Sequence, residues 1–194
     1  MVQSVHVKLA GHRDNPARFH QHIDATLTAR PDGALQATYA IHGLNLDLRV
    51  PTPHFPAPAD ALWRTTCCEL FIGAPDRPNY REFNFSPSGQ WAVHDFHDTR
   101  EQAPTIAACP PPDIQTRREE DLLRLDVTLA KMALHAVAPG SGSLCIALTV
   151  ILEANDGSIA HWALAHPPGR PDFHHPTGFA LSLGPTGFRP TQWP

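Results

Sequence analysis

Between residues 62 and 96 the chain reads LWRTTCCELFIGAPDRPNYREFNFSPSGQWAVHDF. Glu69, Glu82 and Asn84 are the polar groups of interest there, and Trp63 and Trp91 the large aromatic ones. A carboxylate accepts pairs of hydroxyl hydrogen bonds, and an amide both donates and accepts. An indole offers a flat face for C–H groups and an N–H for a hydroxyl. Together these types suit a polar ligand with one flat apolar side, such as a sugar. Two glutamates on consecutive strands also admit a glycoside hydrolase. Its carboxyls would stand about 5–5.5 Å apart for retention or about 6.5–9.5 Å for inversion, with one kept protonated by apolar surroundings.

The backbone that must carry these groups reads as strand. Successive strand residues point to opposite faces. Over 80–86, Arg81, Phe83 and Phe85 share one face, and Tyr80, Glu82, Asn84 and Ser86 the other. Glu69 lies on the preceding run. A turn at 86–89, with Gly89 free to take positive φ, is expected to fold Trp91 back beside the polar row. Its serines lack the GxSxG setting of a nucleophile elbow. Trp162 is a third aromatic candidate, although any of these tryptophans could serve a sandwich core. The glutamates have rival uses as well, on a solvated sheet face or in a salt bridge with Arg64 or Arg81. Arg64 is expected at the rim. So are Arg170, Asp172 and His174 in the stiff segment HPPGRPDFH at 166–174, a preformed wall that lowers the ordering cost of binding. Asp172 could instead pair with Arg170 or cap backbone amides.

The chain has 13 histidines, but their spacing argues against a tight metal site. His161 and His166 would face opposite ways on a regular strand. His174 and His175 are adjacent in a proline loop, and His20 and His22 share a face without an evident third ligand. A haem needs only one or two axial groups, for which His94, His166 and His174 are available. No other cofactor is expected. Cys67 and Cys68 are adjacent, so they cannot form a CxxC pair, and the four cysteines are expected as reduced thiols.

The remaining runs complete an all-β reading. Strands are expected at 4–9, 23–29, 35–41, 67–72, 80–85, 91–96, 122–129, 144–152, 159–165 and 179–183, about ten in all. A short helix is expected at 130–138. The 21 prolines cluster at 51–58, 75–78, 110–112 and 167–176, marking loops and sheet edges. Arg117-Arg118, running into Glu119-Glu120-Asp121, reads as a solvated loop, and Trp193 as a tail anchor. Asn155-Asp156-Gly157 signals a hairpin. Phe83, Phe85, Leu125, Val127, Ile146 and Leu148 are the expected core. The pattern predicts an antiparallel β-sandwich, a jelly roll, as one domain over 1–194.

A net charge of −4 supplies no basic surplus for nucleic acid. No apolar run approaches the ~20 residues that span a bilayer, and the first residues lack a secretory h-region, so a cytoplasmic address is expected. The oligomeric state is left open.

Two segments resemble a known group. Residues 62–100 carry LW, ELFI and EFNFSPSGQWAV, and residues 159–179 carry HWALAHPPGRPDFHH. These are similar to the DOMON-like proteins related to type nine carbohydrate-binding modules. The resemblance implies a jelly-roll sandwich that binds a sugar or haem on one face and does no chemistry. In the carbohydrate-binding relatives the sugar sits between aromatic rings. The chain departs from the group's motif at Thr65 and Cys68, where a histidine and an aromatic ring are expected.

Overall fold

The computed structural model describes residues 2–16, 19, 21–43, 48–104, 109–135, 137 and 142–191. His20, Trp193 and part of the expected helix lie outside the described residues. The chain folds as an antiparallel β-sandwich. Its back sheet has the order β8 (Asp113–Arg118), β9 (Leu122–Leu129), β3 (Leu35–His42), β2 (His22–Ala29), β1 (Gln3–Gly11). The front sheet runs β7 (Glu101–Gln102), β6 (Trp91–Asp98), β5 (Tyr80–Phe85), β4 (Cys67–Gly73), β10 (Leu144–Glu153). Beyond β10, two strands share one edge: β11 (Ile159–Ala163) pairs its C-terminal half, and β12 (Leu181–Gly184) its N-terminal half. β13 (Gly187–Pro190) pairs β12. Ala10 and Gly11 at the end of β1 pair with β11 and join the two sheets.

Alternation decides which side chains enter the core. In β9, Leu123, Leu125, Val127 and Leu129 are buried, as are Ile23, Ala25 and Leu27 of β2. They meet Leu70, Phe83, Phe85, Ile146 and Leu148 of the front sheet in one cluster. Tyr39 crosses this layer and donates its hydroxyl to the Glu69 carbonyl at 2.7 Å. Arg81 also points into the core and is fully buried. Its partner across β5–β6 is Asp95, which accepts from Nε at 2.6 Å and Nη2 at 2.8 Å, while the Ala133 carbonyl accepts from Nη1. A bidentate carboxylate is what makes a guanidinium tolerable there.

Among the described residues, thirteen strands exceed the ten expected. The additions are β7, β8 and β13, all short or polar. Arg117 and Arg118 belong to β8, an edge strand whose charges discourage further pairing, and the turn begins at Glu119. Of the expected helix, the described residues include α1 (Lys131–His135). Phe179 precedes β12 instead of starting it.

Phe85 is completely buried at the centre of the core. Phe85→Ala is expected to lower the unfolding free energy by about 3–5 kcal/mol in a urea titration, through lost burial and the cavity left behind. A variant that unfolds with the parent would place Phe85 outside the core.

Candidate ligand-binding cleft

The outer face of the front sheet carries the polar row. Register sets Glu69 opposite both Thr149 and Asn84, and Glu82 opposite both Phe71 and His94. Glu69 and Glu82 are therefore diagonal neighbours on one face. That face also bears Phe71, Tyr80, Cys145 and Ala147, which form a second apolar cluster with Phe179. The segment following β11 folds over them, with Phe96 and Phe173 packed at its margin. Beside this cover a cleft of about 400 Å³ opens. The sheet contributes Glu69, Glu82 and Ile151, and the β6–β7 hairpin contributes His94, Phe96, Arg100 and Gln102. Trp63 comes from a single 3-10 turn, Leu62–Arg64, while His161, Pro171, Phe173 and His174 come from β11 and the loop after it.

Both glutamates are withdrawn from water, Glu69 to 2% exposure. Glu69 Oε2 accepts the Thr149 hydroxyl at 2.7 Å, and Glu82 Oε1 accepts the Asn84 amide at 2.6 Å. Burial first, and then the charge of Glu82, push the Glu69 carboxyl up to about 8. Burial likewise raises Glu82, opposed by its bond from Asn84. His174 is pushed down to about 4, chiefly by burial and then by the Arg100 charge. The Tyr80 oxygen accepts the Arg100 N–H at 3.1 Å and lies 2.8 Å from His174 Nδ1. Its own proton is then directed to Nδ1, which assigns the ring hydrogen to Nε2, 3.7 Å from Glu82 Oε2. At neutral pH this contact joins a neutral imidazole to a carboxyl group and is no salt bridge. His94 Nδ1 meets Gln102 Nε2 at 3.2 Å, but its buried Nε2 has no partner.

Asp172 organises the wall. It accepts the His174 N–H at 3.0 Å and Arg100 Nη2 at 2.7 Å, so its partner is Arg100 and not Arg170. Arg100 holds φ at 59° and Ala61, just before the Trp63 turn, at 56°. These are the non-glycine residues with left-handed backbone among those described, and each positions a cleft side chain; such strain gathers at functional sites.

Of the residues singled out in the sequence, the structure brings Trp63, Glu69, Glu82 and His174 to the cleft, with Asn84 and Asp172 supporting them. Asn84 is fully buried and acts through Glu82. Trp91 does not join them: it pairs with Phe85, shares Phe85's face and packs on the core. Trp162 is also core, its ring against Gly11. Arg64 and Arg170 are exposed and outside the lining. His94, Phe96, Arg100, Gln102, His161 and Phe173 went unassigned to a binding face in the sequence. Alternation along β6 was a usable signal for His94 and Phe96; Arg100 and Phe173 had none. His161 and His166 do not alternate on one strand, because β11 ends at Ala163, and both rings approach Phe173. Of the three histidines considered for haem, His174 is engaged at Nδ1 and His166 Nε2 contacts the Ala10 carbonyl, while His94 Nε2 and His166 Nδ1 are both buried without a hydrogen-bond partner.

The sequence matches no family model and no curated protein. The fold has solved counterparts. A candidate carbohydrate-binding protein from Bacteroides uniformis superposes with a TM-score of 0.63 at 15% identity, over 92% of this chain and 83% of that one. A carbohydrate-binding module of family 9 from Caldicellulosiruptor kristjanssonii, in complex with cellotriose, gives 0.56 at 11% identity, over 83% and 74%. A family 9 module from the same organism, in complex with glucose, gives 0.53 at 10% identity, over 83% and 76%. The chain thus has the sandwich fold of family 9 modules.

A carboxyl whose folded pKa is raised makes the native state bind more protons than the unfolded chain, so stability falls as pH rises through the interval between the two values. For Glu69 that interval runs from 4.5 to about 8. His174, depressed from 6.5 to about 4, works in the opposite sense but only below 6.5. Urea titrations between pH 6.5 and 8 are therefore expected to show stability declining with pH, and Glu69→Gln should flatten the decline. An unchanged slope in the variant would show that Glu69 is not the titrating group.

Proposed function

We propose that residues 1–194 form one non-catalytic module that binds a carbohydrate or related small polyol in this cleft. The observation that carries the reading is the pairing of a 42% exposed Trp63 with the unpartnered His94 Nε2 beside two buried carboxyls. Trp63 lies edge-on to His94 with ring centroids 5.7 Å apart, so one indole face remains for a sugar ring. His94, Glu82 and Arg100 bond its hydroxyls, while Glu69, Asn84, Asp172 and His174 hold these groups in place. Phe173 faces the ligand from the covering loop. Two further points support the reading: the family 9 fold, and the chain's resemblance in its motifs to DOMON-like proteins. Glucose and cellotriose are the natural first probes, since the neighbouring modules are complexed with them. A cytoplasmic address accords with the free buried thiols of Cys67, Cys68 and Cys145 and adds sugar nucleotides to the screen.

Trp63→Ala and Glu82→Gln are expected to abolish a sugar-induced rise in melting temperature that the parent shows. Trp63→Ala should leave the unliganded melting temperature unchanged, because Trp63 sits outside the core. Loss of the indole should weaken binding by at least about 1–2 kcal/mol, roughly tenfold or more. If no sugar shifts the parent, or Trp63→Ala binds normally, the reading fails.

Hydrolysis has one observation of its own, since Glu69 retains its proton near neutral pH as a general acid must. Incubation with cellotriose separates the two. The binding reading expects the trisaccharide back intact. Release of glucose that stops in Glu82→Gln would favour the enzyme.

A further inference from the structure

We propose that the outer face of the back sheet carries a site for a divalent transition-metal ion, Zn²⁺ or its neighbours Ni²⁺ and Cu²⁺, held by His22, Asp24 and His42. The site is separate from the cleft, with the core between them, and does not depend on the sugar reading. His22 and His42 stand directly opposite each other across β2–β3, and Asp24 follows His22 on the same face. One donor atom from each lies within 4.8 Å of the others. The two imidazoles stack with centroids 4.3 Å apart and planes 4° from parallel. Their Nε2 atoms are 3.8 Å (His22) and 3.7 Å (His42) from Asp24 Oδ2. With metal–ligand bonds of about 2.0–2.1 Å in a tetrahedron, neighbouring donors stand about 3.3 Å apart, so closure draws the donors slightly nearer to Asp24 and tilts the two rings out of parallel until their in-plane lone pairs converge on the ion.

The surroundings point the same way. Asp24 Oδ1 is buried and accepts no hydrogen bond. Among the described residues, every ion-pair partner of Asp24 is an imidazole: His22, His42, and His6 at 3.4 Å from Oδ1. An imidazole is charged only when protonated, whereas a bound cation meets the carboxylate with full charge while the rings stay neutral. His6 is itself fixed by Thr26 at 3.2 Å, which places it as an outer partner orienting the carboxylate. Lasting cations share the row. Lys8 is opposite Asp24 on β1, and Arg124 lies further along, where Asp126 holds it at 2.9 Å, with Arg117 opposite it on β8.

The donor set selects the ion. Two imidazole nitrogens and one carboxylate suit zinc, nickel and copper, while calcium and magnesium need a larger shell of oxygens. With three protein ligands, at least one position stays open to water or to a donor from another molecule. The spacing of histidines in the sequence pointed to no such site, because the third donor arrives from β3, twenty residues after His22, through strand register.

Untagged full-length protein titrated calorimetrically with zinc or nickel chloride is expected to bind one ion saturably. The double variant His22→Ala/His42→Ala should bind at least about tenfold more weakly, the lower bound seen even for outer-shell losses. In the parent, substoichiometric Cu²⁺ should broaden the NMR amide signals around 22–24 and 40–42 first. Absence of saturable binding, undiminished affinity in the double variant, or broadening centred on other histidines would each overturn the assignment. The broadening map needs no variant, so it decides the question even if the double variant folds poorly.

Discussion

Phe71, Tyr80, Cys145 and Ala147 make an apolar patch on the outer face of the front sheet, and a patch of that kind in water must be covered. Phe179 supplies the cover, edge-on to both Phe71 and Tyr80, and Phe173 continues it. This second burial explains why β10 is apolar on both faces along most of its length. It also brings the stiff loop at 166–174 down onto the sheet, and the cleft lies where the cover ends. The Arg100–Asp172 pair closes one side, but both partners are partly exposed and such a pair adds little stability. Its value is geometric: it ties the β6–β7 hairpin to the loop. The buried aromatic rings provide the hold.

The same cover sets the electrostatics. Carboxyls that would be ordinary anions on a solvated sheet are instead shielded, and burial raises both Glu69 and Glu82. Burial keeps His174 neutral beside them. Near neutral pH, Glu69 and His174 therefore act as uncharged hydrogen-bonding groups in the cleft. Among the described side chains that line the cleft, His94 Nε2 is the buried polar atom without a hydrogen-bond partner, so under the proposed reading that nitrogen is where a ligand would complete the set.

Much of this frame was legible in the chain. Strict alternation at 80–85 and 122–129 correctly divided core from outer face, and Asn155-Asp156-Gly157 forms the β10–β11 hairpin with Gly157 at φ 82°. Alternation within a strand was not enough across strands. Trp91 follows a short turn that pairs it with Phe85, so it shares the core face, and only register reveals this. Arg81, polar in a core-facing position, needed the unlooked-for Asp95 opposite it. The cover was the least legible part. The proline loop reads as a rim, yet its aromatic residues are packed where a solvated face was one expectation. Trp63 depends on a left-handed Ala61, which no residue-type rule anticipates.

If a sugar enters between Trp63 and the loop that covers the front sheet, as proposed, NMR shifts mapped during a cellotriose titration of ¹⁵N-labelled protein will report it. The Trp63 indole N–H and the amides of His94, Arg100, Phe173 and His174 are expected to move together along one saturating curve, with the back sheet unperturbed. Shifts confined to the back sheet or to the surroundings of Trp91, or a spectrum that no sugar changes, would contradict it.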